Sequence, residues 1–197
     1  MRGERCYSQK CAMIRRPTPP GPKGKRRKGS VSEYGKELKE KQKLKFWYGL
    51  REKQFKRYAK EILQKARRAK RQDSQDAAQL FTRRLESRLD NVVFRTGLVN
   101  SRASARQLVN HGYFLVNNRA NNIPSTELKK GDEVKIKPQK LKKKVFQNLD
   151  QNMKKQRLPD WLQFNSQAGV AKLVAEPTVA AEELPAEISA IFEFYSR

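Results

Sequence analysis

The chain is poor in the side chains that carry most catalysis and metal binding, with one histidine and two cysteines among 197 residues. Two cysteines cannot form a disulfide framework, so a reducing, cytosol-like compartment is expected. No stretch reaches the roughly 18 consecutive apolar residues that a membrane span needs. The basic N-terminus is not followed by an apolar segment of signal-peptide length. The sequence therefore favours neither an exported protein nor a membrane protein.

Acidic residues are also scarce: 20 aspartates and glutamates face 45 lysines and arginines, for a net charge of +25. Because like charges repel one another, so large an excess favours a polyanionic partner, and nucleic acid before any other. Residues 23–72 hold 20 basic and 5 acidic side chains, whereas residues 158–197 hold 2 and 6. The C-terminal segment is therefore expected to pack on the protein itself or to meet a basic protein neighbour.

Residues 1–32 are predicted to form an extended basic arm. Pro17, Pro19, Pro20 and Pro22 remove backbone donors and fix φ, so neither a helix nor a strand fits. Phosphates would offset the chain entropy that is lost when such an arm becomes ordered. The candidate RNA-contacting residues of the arm are Arg15, Arg16, Lys23, Lys25, Arg26 and Arg27.

Residues 33–71 are predicted to be helical because their apolar residues recur at three- and four-residue steps. Gly49 interrupts this pattern and predicts a break between two helices, and residues 76–85 predict a third short helix. The aromatic residues Phe46, Trp47, Tyr48, Phe55 and Tyr58 are assigned to the core, since platforms that stack bases usually lie on sheets or in open grooves. The candidate RNA-contacting residues here are Lys43, Lys45, Arg51, Gln54 and Arg57.

Residues 85–138 combine two amphipathic helices with a polar hairpin. One helix face is predicted from the i, i+4, i+7, i+8, i+11 spacing of Leu85, Leu89, Val92, Val93 and Thr96. Gly97 is expected to adopt a positive φ after this helix. Ser101 is the expected N-cap of the next helix, in which Ala105, Leu108 and Val109 form the inner face. The faces left over are predicted to hold an outward array of guanidiniums that matches an RNA backbone, formed by Arg84, Arg88, Arg95, Arg102 and Arg106.

A small antiparallel sheet is expected to follow these helices. Asn117 and Asn118 tolerate positive φ and predict a tight hairpin turn, and residues 133–137 alternate like a half-buried strand that ends at Pro138. His111 lacks the orienting acid and nucleophile that catalysis would need, so we expect a phosphate contact or a polar contact at the helix end. The remaining candidate RNA-contacting residues are Gln107, Asn110, His111 and Lys137.

Short motifs along the whole chain resemble those of one family, the bacterial-type small-subunit ribosomal protein four. They include Pro19-Pro20-Gly21, Tyr48-Gly49, Arg88-Leu89-Asp90-Asn91-Val92-Val93, Ser101-Arg102-Ala103, Pro159-Asp160-Trp161-Leu162 and Glu193-Phe194-Tyr195-Ser196-Arg197. Residues 85–138 resemble the alpha-L RNA-binding module, which also occurs in other RNA-handling proteins.

The resemblance implies an α+β fold in three parts: the arm of residues 1–32, a mainly helical domain of residues 33–84 plus 154–197, and the inserted alpha-L module with a basic connector, residues 85–153. It implies a structural protein of the small ribosomal subunit, without enzymatic activity, in the cytoplasm or in an organelle with bacterial-type ribosomes. Such a protein binds the 5′ domain of small-subunit rRNA and nucleates assembly of the body. It lies near ribosomal proteins three and five and the mRNA entry path, affects decoding accuracy, and needs no membrane or homo-oligomer.

The resemblance also bears on the two cysteines. Cys6 and Cys11 match the second pair of the four cysteines that bind zinc in some members of the family. Two thiolates cannot complete a tetrahedral zinc site by themselves. Either the first pair precedes this sequence, or other ligands complete the site, or the metal has been lost and both are small buried thiols.

Two other functions remain as alternatives. An RNA-modifying enzyme is suggested by Arg88-Leu89-Asp90, a motif of some pseudouridine synthases, but the remaining chain is too short for a separate catalytic domain, and Asp90 is expected to form a surface ion pair or a helix contact. A ribosome-associated quality-control factor could use the same alpha-L module, but it would not need the helical residues 33–84.

Overall fold

The computed structural model describes residues 8–17, 30–68, 74–141, 143, 146, 158–166, 168–178 and 184–196. Apart from the short α1 (Ala12–Arg15) and α7 (Pro138–Leu141), their secondary structure belongs to two units, each with its own apolar core. Among these residues, no helix is both long and apolar enough to cross a membrane. The predicted α+β fold is confirmed.

The helical unit consists of α2 (Glu33–Trp47), α3 (Glu52–Arg68), α4 (Ser74–Glu86) and α8 (Ile188–Ser196). Its core forms around Leu44, Phe55, Phe81 and Ile191, and the rings of Phe55 and Phe81 meet edge to face with centroids 5.4 Å apart. The predicted break at Gly49 is confirmed: this residue has φ +62°, and the chain turns there from α2 into α3.

The sheet unit consists of two helices and five strands: α5 (Leu89–Arg95), α6 (Arg102–Asn110), β1 (Phe114–Val116), β2 (Arg119–Asn121), β3 (Glu133–Ile136), β4 (Leu162–Asn165) and β5 (Val170–Leu173). The strand order is β2-β1-β3-β5-β4, with every neighbouring pair antiparallel. The predicted hairpin is confirmed, with φ +49° at Asn117 and +64° at Asn118. The predicted N-cap is also confirmed, because the Ser101 hydroxyl accepts from the Ser104 amide at 3.2 Å.

The first helix of the predicted module is interrupted. The five residues assigned to one helix face are all buried, but α4 ends at Glu86 and α5 begins at Leu89. Between them Arg88 has an extended backbone that bridges to Glu127, and the Leu89 amide donates to the carbonyl of Thr126. Because of this break, the two ends of the predicted face pack in different cores, Leu85 in that of the helical unit and Leu89 in that of the sheet unit.

The C-terminal segment is shared between the two units, which differs from the predicted assignment of residues 154–197 to the helical domain. β5 pairs with β3, opposing Val134 to Ala171, so residues 162–173 extend the sheet. Leu162 and Leu173 lie in the core of the sheet unit. Residues 184–196, which include α8, pack back on the helical unit, where Ile191 and Phe192 enter the core.

The aromatic residues follow the predicted core assignment with one exception. Tyr48, Phe55 and Tyr58 are buried. Phe46 is 69% exposed, so its assignment to the core is wrong. It lies two positions beyond the buried Leu44, which is a rotation of about 200° around a helix, and its ring is 4.8 Å from the Lys45 ammonium.

The Glu52 carboxylate fastens α8 to the helical unit. It accepts hydrogen bonds from Lys41 Nζ at 2.8 Å, Lys45 Nζ at 3.1 Å and the Tyr195 hydroxyl at 2.7 Å. Lys41 also lies 4.4 Å from the ring centroid of Phe194, a cation–π contact. Burial would raise the pKa of Glu52, but the hydrogen bonds from Lys41, Tyr195 and Lys45 outweigh it and lower this pKa to about 2.

Because the pKa of Glu52 is lowered from 4.5 to about 2 in the folded state, its contribution to stability is present above pH 4.5 and is lost as the pH falls towards 2. Glu52→Gln is expected to flatten this acid-induced loss and to destabilise the neutral protein by about 1 kcal/mol, a small value since the side chain is 43% exposed and screened. Urea unfolding across a pH series measures both the acid-induced loss and the stability at neutral pH. Glu61→Gln removes an exposed carboxylate paired only with Arg57 and is the control; an unchanged pH dependence in Glu52→Gln would contradict the prediction.

Candidate RNA interface and the joint between the units

A buried carboxylate lies where the two units meet. The Glu86 side chain, at the end of α4, is fully buried. Arg95 binds it with two donors, Nε to Oε2 and Nη2 to Oε1, both at 2.9 Å. The Tyr48 hydroxyl donates to Oε1 and the Asn91 amide to Oε2, each at 2.6 Å. One carboxylate thus joins Tyr48 of the helical unit to two residues of α5.

We call Glu86 and its partners Tyr48, Asn91 and Arg95 the joint. The same contacts determine the charge states of Glu86 and Tyr48. Burial would raise the pKa of Glu86, but the hydrogen bond and charge of Arg95, the Tyr48 hydroxyl and the charge of Arg102 outweigh it and lower this pKa. Burial and the neighbouring carboxylate raise the pKa of Tyr48 well above its ordinary value. At neutral pH the carboxylate is therefore ionised and the tyrosine remains a hydrogen-bond donor.

Arg102 extends the joint to α6. Its Nε donates to Asn91 Oδ1 at 2.8 Å, and its Nη2 lies 4.0 Å from Glu86 Oε1. Its guanidinium carbon lies 4.4 Å from the ring centroid of Phe94 and 5.0 Å from those of Trp47 and Tyr48. A cation held over three rings and a carboxylate is strongly fixed in position.

Arg88 and Asp90 form a second buried contact. Arg88 is only 1% exposed, and its Nε and Nη2 donate to the two carboxylate oxygens of Asp90 at 3.1 and 2.9 Å. Its Nη1 donates at 2.8 Å to the hydroxyl of Tyr58 in α3, which also accepts from Gln54 at 2.9 Å. The ion pair therefore ties the start of α5 to the helical unit.

The predicted outward array of arginines is wrong for Arg88, Arg95 and Arg102, whose side chains are 2%, 20% and 13% exposed. Arg88, Arg95 and Arg102 turn towards the helical unit, and the carboxylates of Glu86 in α4 and Asp90 in α5 satisfy their guanidiniums. Arg84 pairs with Glu127. Arg106 is the most open of the five, although its Nη1 donates to the carbonyl of Gly49 at 3.2 Å. Sequence reasoning gave Asp90 a surface ion pair or a helix contact, and it did not identify Asp90 and Glu86 as the partners of these arginines.

The outer side of α6 is an open polar surface. Gln107, Asn110 and His111 are exposed there, as expected for contact residues. Gly112 ends the helix with φ +65°, and a Cβ built on it would lie 3.6 Å from Lys137 Nζ. The Lys137 ammonium therefore lies beside the C-terminal end of α6. These four residues, Gln107, Asn110, His111 and Lys137, form what we call the α6 face.

A basic groove runs along the outer side of α3. Lys53, Lys56 and Lys60 are exposed at i, i+3 and i+7, opposite the buried Phe55 and Ile62. Among the described residues, none of these lysines is in an ion pair. The open groove has a volume of about 690 Å³ and is lined by Arg51, Lys53, Gln54, Lys56, Arg57, Lys60, Glu61 and Gln64. We call it the α3 groove.

The α3 groove brings together three of the predicted contact residues, Arg51, Gln54 and Arg57, with lysines that sequence reasoning missed. The helical spacing of Lys53, Lys56 and Lys60 opposite the apolar residues was the signal available for finding them. Lys43 and Lys45 pair with carboxylates of the helical unit instead.

The predicted arm is described only in part, and the prediction that no helix fits there is wrong for Ala12–Arg15, which form the short α1 before Pro17. Arg15 and Arg16 are exposed at the end of α1, and Cys11 is partly buried. Among the described residues, no group of three His, Cys, Asp or Glu side chains could hold a metal ion. The other arm candidates, Lys23, Lys25, Arg26, Arg27 and Cys6, lie outside the described residues. The half zinc site therefore stays a prediction.

Two family models match this chain on either side of the joint. The Ribosomal protein S4/S9 N-terminal domain matches residues 1–82, and the S4 domain matches residues 87–134. The chain is 43% identical over its whole length to the small ribosomal subunit protein uS4 of Halothermothrix orenii, of which 90% is covered. Proteins of the same name from Caldicellulosiruptor bescii and Syntrophobacter fumaroxidans are each 41% identical, with the same coverage. The chain therefore belongs to the uS4 family of small ribosomal subunit proteins.

Proposed function

We propose that this chain binds the 5′ domain of small-subunit rRNA directly, as a structural component of the small ribosomal subunit, and nucleates assembly of the subunit body. The observation that carries the proposal is the pairing of two RNA-suited surfaces on two units that are fastened together. The α3 groove offers lysines that form no ion pair with any other described residue, and the α6 face offers uncharged donors and acceptors beside one lysine.

The two surfaces suit different parts of RNA recognition. Lysines of the α3 groove would neutralise phosphates and release counterions, which supplies affinity and makes it depend on salt. Gln107 and Asn110 would contact sugars, phosphates or unpaired bases, which fixes the register of the protein on a folded RNA. Because the surfaces lie on separate units, together they would select RNA of one shape. Holding that shape would lower the cost of binding for later subunit proteins.

The proposal extends to neighbours in the subunit. In a bacterial-type ribosome of the cytoplasm or an organelle, ribosomal proteins three and five and the mRNA entry path would lie close by, and the chain would influence decoding accuracy. The family resemblance supports this part of the proposal. On this chain, the exposed Glu187 and Glu193 near α8 support contact with a basic protein. They would repel a phosphate backbone.

The geometry disfavours a pseudouridine synthase. That enzyme would use the aspartate of Arg88-Leu89-Asp90 as its reactive group, but Asp90 is buried with both oxygens bound by Arg88. A carboxylate held in this way has no open side for a uridine base. The acid instead takes part in joining α5 to the helical unit.

Equilibrium binding to the 5′ domain of small-subunit rRNA tests the proposed function. The purified chain is titrated with this RNA and with an unrelated folded RNA of equal length across a salt series. We expect affinity for both RNAs to fall with salt, since phosphate contacts contribute to both. The preference for the rRNA should survive at high salt because it depends on shape. Equal affinities that fall together would reduce the chain to a non-specific polycation and overturn the proposal.

A further inference from the structure

We propose that Glu86 is a positioning residue for RNA recognition: its buried carboxylate holds the two units at one orientation, so that the α3 groove and the α6 face meet a single RNA together. This inference rests on the proposed function for its RNA readout. It assigns a role to a buried acid that does not itself contact RNA.

The orientation of the two units needs such a contact because their apolar cores are separate. Leu85 lies in one core and Leu89 in the other, with only Glu86, Ser87 and Arg88 between them. An apolar core shared by both units would resist rotation about this short connection. In its place lies a polar joint, and hydrogen bonds of charged groups are strong and directional.

Glu86 is the centre of that joint. Its two oxygens receive four hydrogen bonds, from Tyr48, Asn91 and both donors of the Arg95 fork. Asn91 links Glu86 to Arg102, since its side-chain amide nitrogen donates to Glu86 while its amide oxygen accepts from Arg102. A rotation between the units would break several of these bonds at once and leave an uncompensated buried carboxylate.

The contacts of Glu86 lead to both proposed RNA surfaces. Tyr48 lies at the turn between α2 and α3, so it fixes the start of the helix that carries the α3 groove. Arg102 is the first residue of α6, which carries the α6 face. Arg106, one turn further along α6, donates to the carbonyl of Gly49 in the same turn. Movement at the joint would therefore change the separation of the two surfaces.

Two variants and one control test the role of Glu86. Glu86→Gln keeps the size of the side chain but removes the charge that pairs with Arg95. Tyr48→Phe is milder, because it removes one hydrogen bond and keeps the ion pair, and it serves if Glu86→Gln does not fold. Glu127→Gln is the matched control, since Glu127 also forms an ion pair across the two units, with Arg84, but is half exposed.

Residual dipolar couplings of backbone amides report the orientation without any RNA. In the unsubstituted chain and in Glu127→Gln, amides of α2 and α3 and amides of β1 and β3 should fit one alignment tensor. In Glu86→Gln the two sets should need separate tensors, and in Tyr48→Phe the fit to one tensor should worsen. A single tensor that persists in both joint variants would overturn the proposal.

RNA binding gives the second readout. In Glu86→Gln we expect preference for the 5′ domain over the unrelated RNA to fall by roughly tenfold, a typical coupling between sites, while affinity for the unrelated RNA is unchanged. If Glu86→Gln loses its affinity for both RNAs together with the folded circular-dichroism signal, the variant has unfolded. The two measurements on Tyr48→Phe then decide whether the proposal holds. Separate tensors with an unchanged preference would overturn the proposal. A lack of preference in the unsubstituted chain would instead defeat the proposed function, and the tensors would still report on the joint.

Discussion

Replacing Arg88 with methionine should lower the free energy of unfolding by about 3–5 kcal/mol, because it breaks a buried ion pair and leaves one charge without its partner. Asp90, which accepts two hydrogen bonds from Arg88, would remain buried without them. Tyr58 would lose one of its two donors and keep Gln54. Urea unfolding followed by circular dichroism measures the change.

A double variant separates loss of the pair from loss of packing. Arg88→Met combined with Asp90→Leu removes both charges and fills the space with apolar atoms, which is often neutral for a buried pair. Most of the lost stability should therefore return. Arg57→Met is the control for a solvent-exposed pair, since Arg57 forms its ion pair with Glu61 one turn away at 3.6 Å, and it should cost about 0.5 kcal/mol. A loss in Arg88→Met no larger than that of Arg57→Met would contradict the buried arrangement.

The local parts of the fold could be predicted because short-range chemistry determines them. A positive φ at Gly97 and at Asn117 and Asn118, and a hydroxyl cap at Ser101, depend on residues within a few positions of each other. The pairing of β5 with β3 could not be predicted in the same way. It joins residues far apart in the chain, and alternation of apolar side chains selects a face of a strand but not its neighbour.

The candidate site shows the same limit. Helical periodicity correctly separated an apolar from a polar side on α5 and α6, but it could not say whether the polar side meets solvent or another unit. For Arg88 the answer depends on Tyr58, and for Arg102 it depends on Glu86 and the rings of Trp47 and Tyr48. Only the packing of the two units brings these groups to α5 and α6. The α3 groove is the opposite case, since the spacing of its lysines is visible in the sequence.

If the α3 groove binds phosphates, replacing Lys53, Lys56 and Lys60 together with glutamine should weaken binding to the 5′ domain of small-subunit rRNA by roughly two orders of magnitude at about 0.1 M salt. Each cation that neutralises a phosphate contributes about 0.7–0.9 to the slope of log affinity against log salt concentration. Loss of three should therefore make that slope shallower by about two to three. A salt titration of the variant beside the unsubstituted chain measures both quantities.

Two matched variants show whether the position of the charges matters. A second triple variant, Arg83→Gln with Lys135→Gln and Lys172→Gln, also removes three positive charges. Each of these cations already pairs with a carboxylate, Glu176 or Glu133. The slope of log affinity against log salt concentration should change much less in this second triple variant. Gln107→Ala with Asn110→Ala removes uncharged groups of the α6 face and should reduce the preference for the rRNA while leaving the slope unchanged.

These outcomes distinguish a local groove from a general charge effect. A cation offset by a neighbouring carboxylate releases few counterions when RNA binds, so only unpaired cations near the phosphates affect the slope. Equal slope changes in the two triple variants would mean that net charge alone drives binding, and the α3 groove would lose its assigned role. The alternative outcome is that the salt slope becomes shallower only in the α3 groove variant and the preference for the rRNA falls only in the α6 face variant. Affinity would then be assigned to the helical unit and shape selection to the sheet unit.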